Sequence, residues 1–297
     1  MANIVFAASP SIAGRWARSI AAGVFYLAGA AWPGASSSEP SGQIPDLSGS
    51  GDIAWLVVGD ELLPPPSGPG PVTFDKRHPY VNNLVARATG TRPTFRVADI
   101  TNPILQPWAA EQMRKANEQV LAGKVPFRPR ERCYPAGVPG FLAFSLVEPI
   151  FFVQTARQVT MLIPGGPEVR RVYLDVPHSS HVTPSWYGES IGHYEGKDTL
   201  AVDTIGISTK TFIDNYRTPH TDQLHVVERF RLEPGGEMLE VTIRVEDPGA
   251  FTTPWSAVQR LALQRPRQWI EEICAENNAG YFNYDVVPLP QADKPDF

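Results

Sequence analysis

Short apolar runs of strand length, separated by brief turn-forming stretches, fill the C-terminal two-thirds of this chain. They are Ile150–Ile163, Val169–Val176, Leu200–Ile207, Leu224–Leu232, Met238–Val245 and Ser256–Leu263. Gly165-Gly166 and Gly235-Gly236 stand between successive runs, at the spacing of hairpin turns. Strands joined by short turns are antiparallel, because a parallel pair needs a long crossover. A meander of this length has to protect its edges, either by closing or by folding one sheet over another. The expectation is an all-β fold, an antiparallel meander closing into a lipocalin-like barrel. A two-sheet sandwich is the alternative, since it uses the same alternation.

Upstream, the pattern is different. Ile53–Val58 is a further strand candidate between Ser/Gly/Pro-rich stretches at 33–52 and 64–71. One helix is expected near 107–122: Pro107 suits the first helical position, Gly123 follows the end, and Ala109, Met113, Ala116 and Val120 form an apolar stripe. Thirty prolines among 297 residues are about twice the usual share, whereas aromatics at 10% argue for a folded chain with many turns. Residues 1–36 carry Arg15 and Arg18, an apolar run from Ile20 to Trp32 and small residues at Ala28-Gly29-Ala30. This is the layout of an export signal, with a disordered extension as the alternative. The run is too short for a stable membrane span. Residues 37–297 are expected to form a single β-barrel domain with an irregular N-terminal arm, in a periplasmic or secreted protein. In that oxidising setting Cys133 and Cys274, the two cysteines of the chain, could pair. A net charge of −5 and a pI of 5.7 supply no phosphate-tracking surface, so nucleic acid is not an expected partner.

Five of the six histidines lie between residues 178 and 225: His178, His181, His193, His220 and His225. Asp175, Asp203, Asp222 and Glu228 are the nearby carboxylates. Two chemistries suit this set. Imidazole and carboxylate can move protons on a bound molecule, which gives His225, Asp203, His178, His220 and Glu228 as catalytic candidates. Alternatively His178, His181 and His220 could hold a divalent metal, although neither H-E-x-x-H nor H-x-H is present. A purely structural role, capping loops, is the third option. Strand parity puts His225, Val227, Arg229 and Arg231 on one face, and Leu224, Val226, Glu228 and Phe230 on the other. In the neighbouring run Leu200, Val202 and Thr204 oppose Ala201, Asp203 and Ile205. The His225 face could line a lumen with Arg229 and Asp203, or it could meet solvent.

Trp186, Tyr187, Tyr173 and Arg229 are candidate substrate contacts. Trp186 and Tyr187 stand beside Gly188 in a segment that also holds Gly192 and Gly196, too glycine-rich for an ordinary strand. A plug at the barrel end is the competing use of the tryptophan. No phosphate-binding glycine loop precedes a helix, so no nucleotide cofactor is expected. The letters of G-x-S-x-G occur at Gly188–Gly192 without a strand–turn–helix context, which argues against a serine hydrolase.

Several segments resemble a large, mostly uncharacterised family of bacterial secreted proteins. They are PDLSG at 45–49, CYPAGVP at 133–139, RRVYLD at 170–175, PSWYGESIGHYEG at 184–196, DTLAVDTIG at 198–206, TPHTDQLHVVERF at 218–230, EDP at 246–248 and CAENN at 274–278. The chain departs from that pattern at Val176, where glycine is usual, and at the inserted Lys197. The resemblance implies a secreted protein and no particular chemistry. Together with the histidines, these features give two functional expectations. One is an enzyme of isomerase, lyase or cyclase type acting on a small, largely apolar molecule in a barrel cavity, with no cofactor or a divalent metal. The other is a non-catalytic ligand-binding barrel.

Overall fold

The computed structural model describes residues 44–48, 53–59, 61–91, 94–144, 149–164, 168–265 and 285–286. The proposed export segment and Cys274 lie outside the described residues. In chain order the strands are β1 (Ala54–Val57), β2 (Lys124–Val125), β3 (Phe151–Gln154), β4 (Gln158–Ile163), β5 (Glu168–Leu174), β6 (Glu189–Glu195), β7 (Thr199–Ile205), β8 (His225–Leu232), β9 (Met238–Glu246), β10 (Trp255–Gln264) and β11 (Asp285–Val286). Nine of them form one sheet in the order β1-β10-β9-β8-β7-β6-β5-β4-β3, while β2 and β11 pair with each other.

The two ends of the nine-stranded sheet meet. Trp55 N donates to Ile150 O at 2.9 Å and Ile150 N donates to Trp55 O at 2.8 Å. The sheet is thus nearly closed into a barrel, the expected all-β architecture. Alternation does the rest: β5 buries every second residue from Glu168 to Leu174, and β9 buries Leu239, Val241, Ile243 and Val245. The inward side chains fill the interior. Trp55, Phe152, Met161, Val172, Leu200, Phe230, Val241 and Leu261 belong to one buried apolar cluster.

One pair departs from the expected meander. β5 and β6 are parallel, with Val172 opposite Ser190 and Leu174 opposite Gly192. The connection through residues 175–188 is long enough to return to the starting end, which a hairpin turn is not. β6 itself falls in the segment read as too glycine-rich for a strand. Gly192 faces inward where a Cβ would lie 2.8 Å from Ala201 O and from Val172 Cγ1. Glycine here lets β6 approach its neighbours closely.

Outside the barrel, α1 (Asn83–Thr89) is capped by the Asn82 side chain, and α2 (Pro107–Leu121) starts at Pro107 as expected. The buried stripe of α2 is Ala109, Met113 and Asn117. The Asn117 amide both accepts from Ala98 N and donates to Ala98 O, so it anchors an extended segment with no polar atom left over. A short α3 (Phe141–Phe144) precedes β3. The N-terminal arm docks on the barrel: Gln154 accepts from Leu47 N, and Trp55 Nε1 donates to Leu47 O. Cys133 is disulfide-bonded, and the chain has one other cysteine, Cys274. No described helix is long and apolar enough to cross a membrane.

Candidate functional site

Side chains pointing away from the barrel on β6, β7 and β8 build a polar patch with Asp203 at its centre. Its cross-strand neighbours are Ile191 on β6 and Val227 on β8. One step along the strands, about 7 Å away, His193, Ala201 and Arg229 make the next row. In the other direction lie Glu189 on β6, Ile205 on β7 and His225 on β8. The connection 175–188, returning to start β6, crosses this outer face as a strap. Asp175 N donates to Gly192 O at 2.9 Å, and Ser185 bridges to Ile207 at the other end.

The strap delivers His178 to the patch. Its Nε2 lies 2.9 Å from Asp203 Oδ1, and its Nδ1 lies 2.9 Å from Glu189 Oε1. His225 Nε2 takes the same Asp203 Oδ1, again at 2.9 Å. A neutral imidazole has one N–H, so in that form His178 donates to one of the two carboxylates that flank it. His225 donates through Nε2, which leaves Nδ1 as its acceptor. Among the described residues no hydrogen bond takes Asp203 Oδ2. Glu189 also accepts from Ser179 N at 2.8 Å and from Ser179 Oγ at 2.5 Å. The Ser179 hydroxyl and amide, and then His178, hold the Glu189 carboxyl below the usual carboxylate range.

Asp203 forms one wall of a groove of about 390 Å³. Its floor is Ile191, Ala201, Val227 and the backbone of Gly192, and Val176 of the strap overhangs it. Asp175, His193 and Arg229 supply the remaining polar lining. Arg229 Nε is held by Glu195, at 3.0 Å to one carboxylate oxygen, and Glu195 is also 3.5 Å from His193 Nε2. Asp175 adopts a left-handed backbone, φ 54°. Its carboxylate makes no hydrogen bond or ion pair among the described residues.

Of the expected site residues, His178, His225, Asp203 and Arg229 therefore come together, on the outer face of the barrel and not in its lumen. The inner face of β8 carries Val226, Glu228 and Phe230 into the packed core, which sends His225 and Arg229 outward. Glu228 is corrected from a catalytic candidate to a core ion pair: it bonds Arg170 inside the barrel, with Thr204 and Ser190 on the same guanidinium. His220 is buried elsewhere, between Thr211 Oγ1 and Thr221 O, and burial pushes its pKa down. His181 is exposed on the strap. The proposed metal set of His178, His181 and His220 is not assembled, and among the described residues no group of three His, Cys, Asp or Glu is arranged to hold a metal ion. Tyr187 is buried with its hydroxyl on Glu168, and that burial raises its pKa well above the usual phenol value. Trp186 stacks on Tyr134, centroids 5.2 Å apart, and neither Trp186 nor Tyr187 lines the groove. Tyr173 is exposed on β5 opposite Ile191, beside the groove but outside its lining.

Sequence reasoning missed Glu189 and Ser179, the pair that fixes the strap. Parity would have put Glu189 on the same face as Ile191 and His193 once β6 was recognised as a strand. Comparison with protein families, with curated proteins and with solved structures finds no match to this chain.

Proposed function

We propose that this is a secreted or periplasmic enzyme that moves protons on a small organic molecule lying in the outer groove, in a reaction of isomerase, lyase or cyclase type. The observation that carries the reading is the shared Oδ1 of Asp203, with His178 and His225 both 2.9 Å away. A carboxylate with two imidazoles behind it and a second oxygen uncommitted is equipped to take a proton from a ligand. Asp203, whose side chain is 38% exposed, then returns that proton to the ligand or passes it to solvent. The apolar floor of Ile191, Ala201 and Val227 supplies burial for the ligand body, and the volume lies within the range of small-molecule sites. Secretion is supported by the disulfide at Cys133, by the N-terminal apolar run and by the segments resembling bacterial secreted proteins.

A non-catalytic binding protein is the second reading. The two imidazoles gathered on Oδ1 leave Asp203 Oδ2 for a ligand, which suits ion pairing as well as proton transfer. The full-length protein, incubated in D2O with a panel of small amphiphilic amines, acids and alcohols and followed by proton NMR, separates the two. Proton transfer is expected to exchange a ligand C–H for deuterium or convert the ligand. The Asp203→Asn variant should be slower by roughly 100-fold or more. Ligands that bind wild type and variant without exchange in either would establish the binding protein instead.

A further inference from the structure

We infer that the groove selects organic cations, a protonated amine on an apolar body, with Asp175 as the residue that receives the ammonium group. The inference rests on the groove being the working site. Its charge balance is negative. Asp175, Asp203, Glu189 and Glu195 lie in or directly behind the lining, against the Arg229 guanidinium and the His178 imidazole. Arg229 is neutralised by Glu195, and His178 is divided between Glu189 and Asp203. Among the described residues Asp175 has no such partner.

Asp175 is also held in place. Its φ of 54° lies in the left-handed region, which a non-glycine residue occupies at some strain. The hydrogen bond from Asp175 N to Gly192 O fixes it there, at the point where the strap leaves β5. A carboxylate kept at the groove wall by a left-handed turn, above a floor of Ile191, Ala201 and Val227, matches a ligand with a cationic head and an apolar body. Asp203 Oδ2, on the neighbouring wall, is a second acceptor for the same head. Among the described residues no Phe, Tyr or Trp lines the groove, so recognition runs through carboxylates and not through a cation–π cage. An anionic ligand of the same shape would meet Asp175 and Asp203 unpaired.

The test is a binding titration of the full-length protein, followed by the imidazole resonances of His178, His193 and His225. Its probes are 2-phenylethylammonium, 2-phenylethanol and 3-phenylpropionate. The ammonium probe is expected to bind at least about tenfold more tightly than the other two. Asp175→Asn should remove about tenfold of that affinity while leaving the alcohol unchanged. Asparagine accepts the left-handed conformation at least as well as aspartate, so this variant keeps the turn. Equal affinities for the three probes, preference for the propionate, or an unaltered amine affinity in Asp175→Asn would overturn cation selection. Propionate or alcohol binding that shifts the histidine resonances would leave the acid–base reading standing. Absence of any shift with all three probes would remove both.

Discussion

Arg170 and Glu228 meet inside the barrel with side chains 1% and 0% exposed. The guanidinium donates from Nη1 at 3.2 Å and from Nη2 at 2.5 Å to the two carboxylate oxygens, and from Nη2 to Thr204 Oγ1 at 2.9 Å. Its carbon lies 5.0 Å from the centre of the Phe141 ring. Two charges this deep are tolerated because each satisfies the other, so breaking the pair should be worse than deleting it. Glu228→Gln is expected to lower unfolding free energy by about 3–5 kcal/mol, and Arg170→Met with Glu228→Leu to recover most of that loss. Urea denaturation of the three proteins checks this, and a double variant as unstable as the single one would count against it. His225 belongs to the opposite class. On an outward strand face its replacement by alanine should cost less than about 1 kcal/mol while removing one of the two donors on Asp203. A stability loss at 228 and an activity loss at 225 would separate two residues of one strand that the sequence alone offered as equals.

At the scale of strands and loops, what was legible depended on side-chain parity. β7, β8, β9 and β10 could be read because their apolar residues alternate, and Asp203 could be placed on the face of Ala201 for the same reason. Which face was inward could not be read from β8, where each face mixes charged with apolar residues. The answer comes from Arg170 on β5, which neutralises Glu228 and so makes that face buriable. β6 was hidden because Gly192 has no side chain to register in a hydrophobic pattern, yet its missing Cβ is what lets Ala201 O and Val172 come close. Gly192→Ala would place a Cβ 2.8 Å from both. Overpacking of that kind is expected to lower stability by about 1–3 kcal/mol. It should also weaken the hydrogen bond from Asp175 N to Gly192 O, visible as faster amide exchange at Asp175. Unchanged exchange there would mean that the strap does not depend on the position of β6. The strap was illegible for another reason: the sequence of 175–188 fixes a long polar connection, and only the parallel pairing of β5 with β6 makes it fold back across the outer face.

For the molecule as a whole, the connection between β7 and β8 joins the barrel to the segments that precede it. Residues 206–224 bury Ile213 and Tyr216 in the core, Asn215 Nδ2 donates to Ala143 O, and Arg217 Nη2 donates to Arg96 O. Asp214 organises that plug, its Oδ1 accepting from Tyr216 N and Thr218 N and its Oδ2 from the Thr218 hydroxyl. Burial pushes its pKa up from 3.8 to about 6, with the Thr218 and Tyr216 bonds and the Arg217 charge opposing the rise. Arg217, itself pushed down to about 10 by burial, stays charged through the neutral range. An acid whose pKa is higher folded than unfolded binds its proton more tightly in the native state. Its stabilising effect is therefore complete below about pH 4 and is lost as pH rises through about 6. His220, in the same connection, has its pKa lowered by burial, so its contribution is present above the ordinary imidazole value and lost as pH falls through the depressed one. Raw stability curves superpose the two. Asp214→Asn separates them, because asparagine can keep the acceptor bonds from Tyr216 N and Thr218 N and give the Thr218 hydroxyl a donor, while His220 is common to both proteins. Relative to that variant, the wild type should lose about 2 kcal/mol of unfolding free energy between pH 4.5 and pH 7. A wild-type-to-variant difference that stays constant across urea titrations over this range would show that Asp214 titrates as an ordinary exposed carboxylate, and that the plug is held by its apolar contacts and by Arg217 alone.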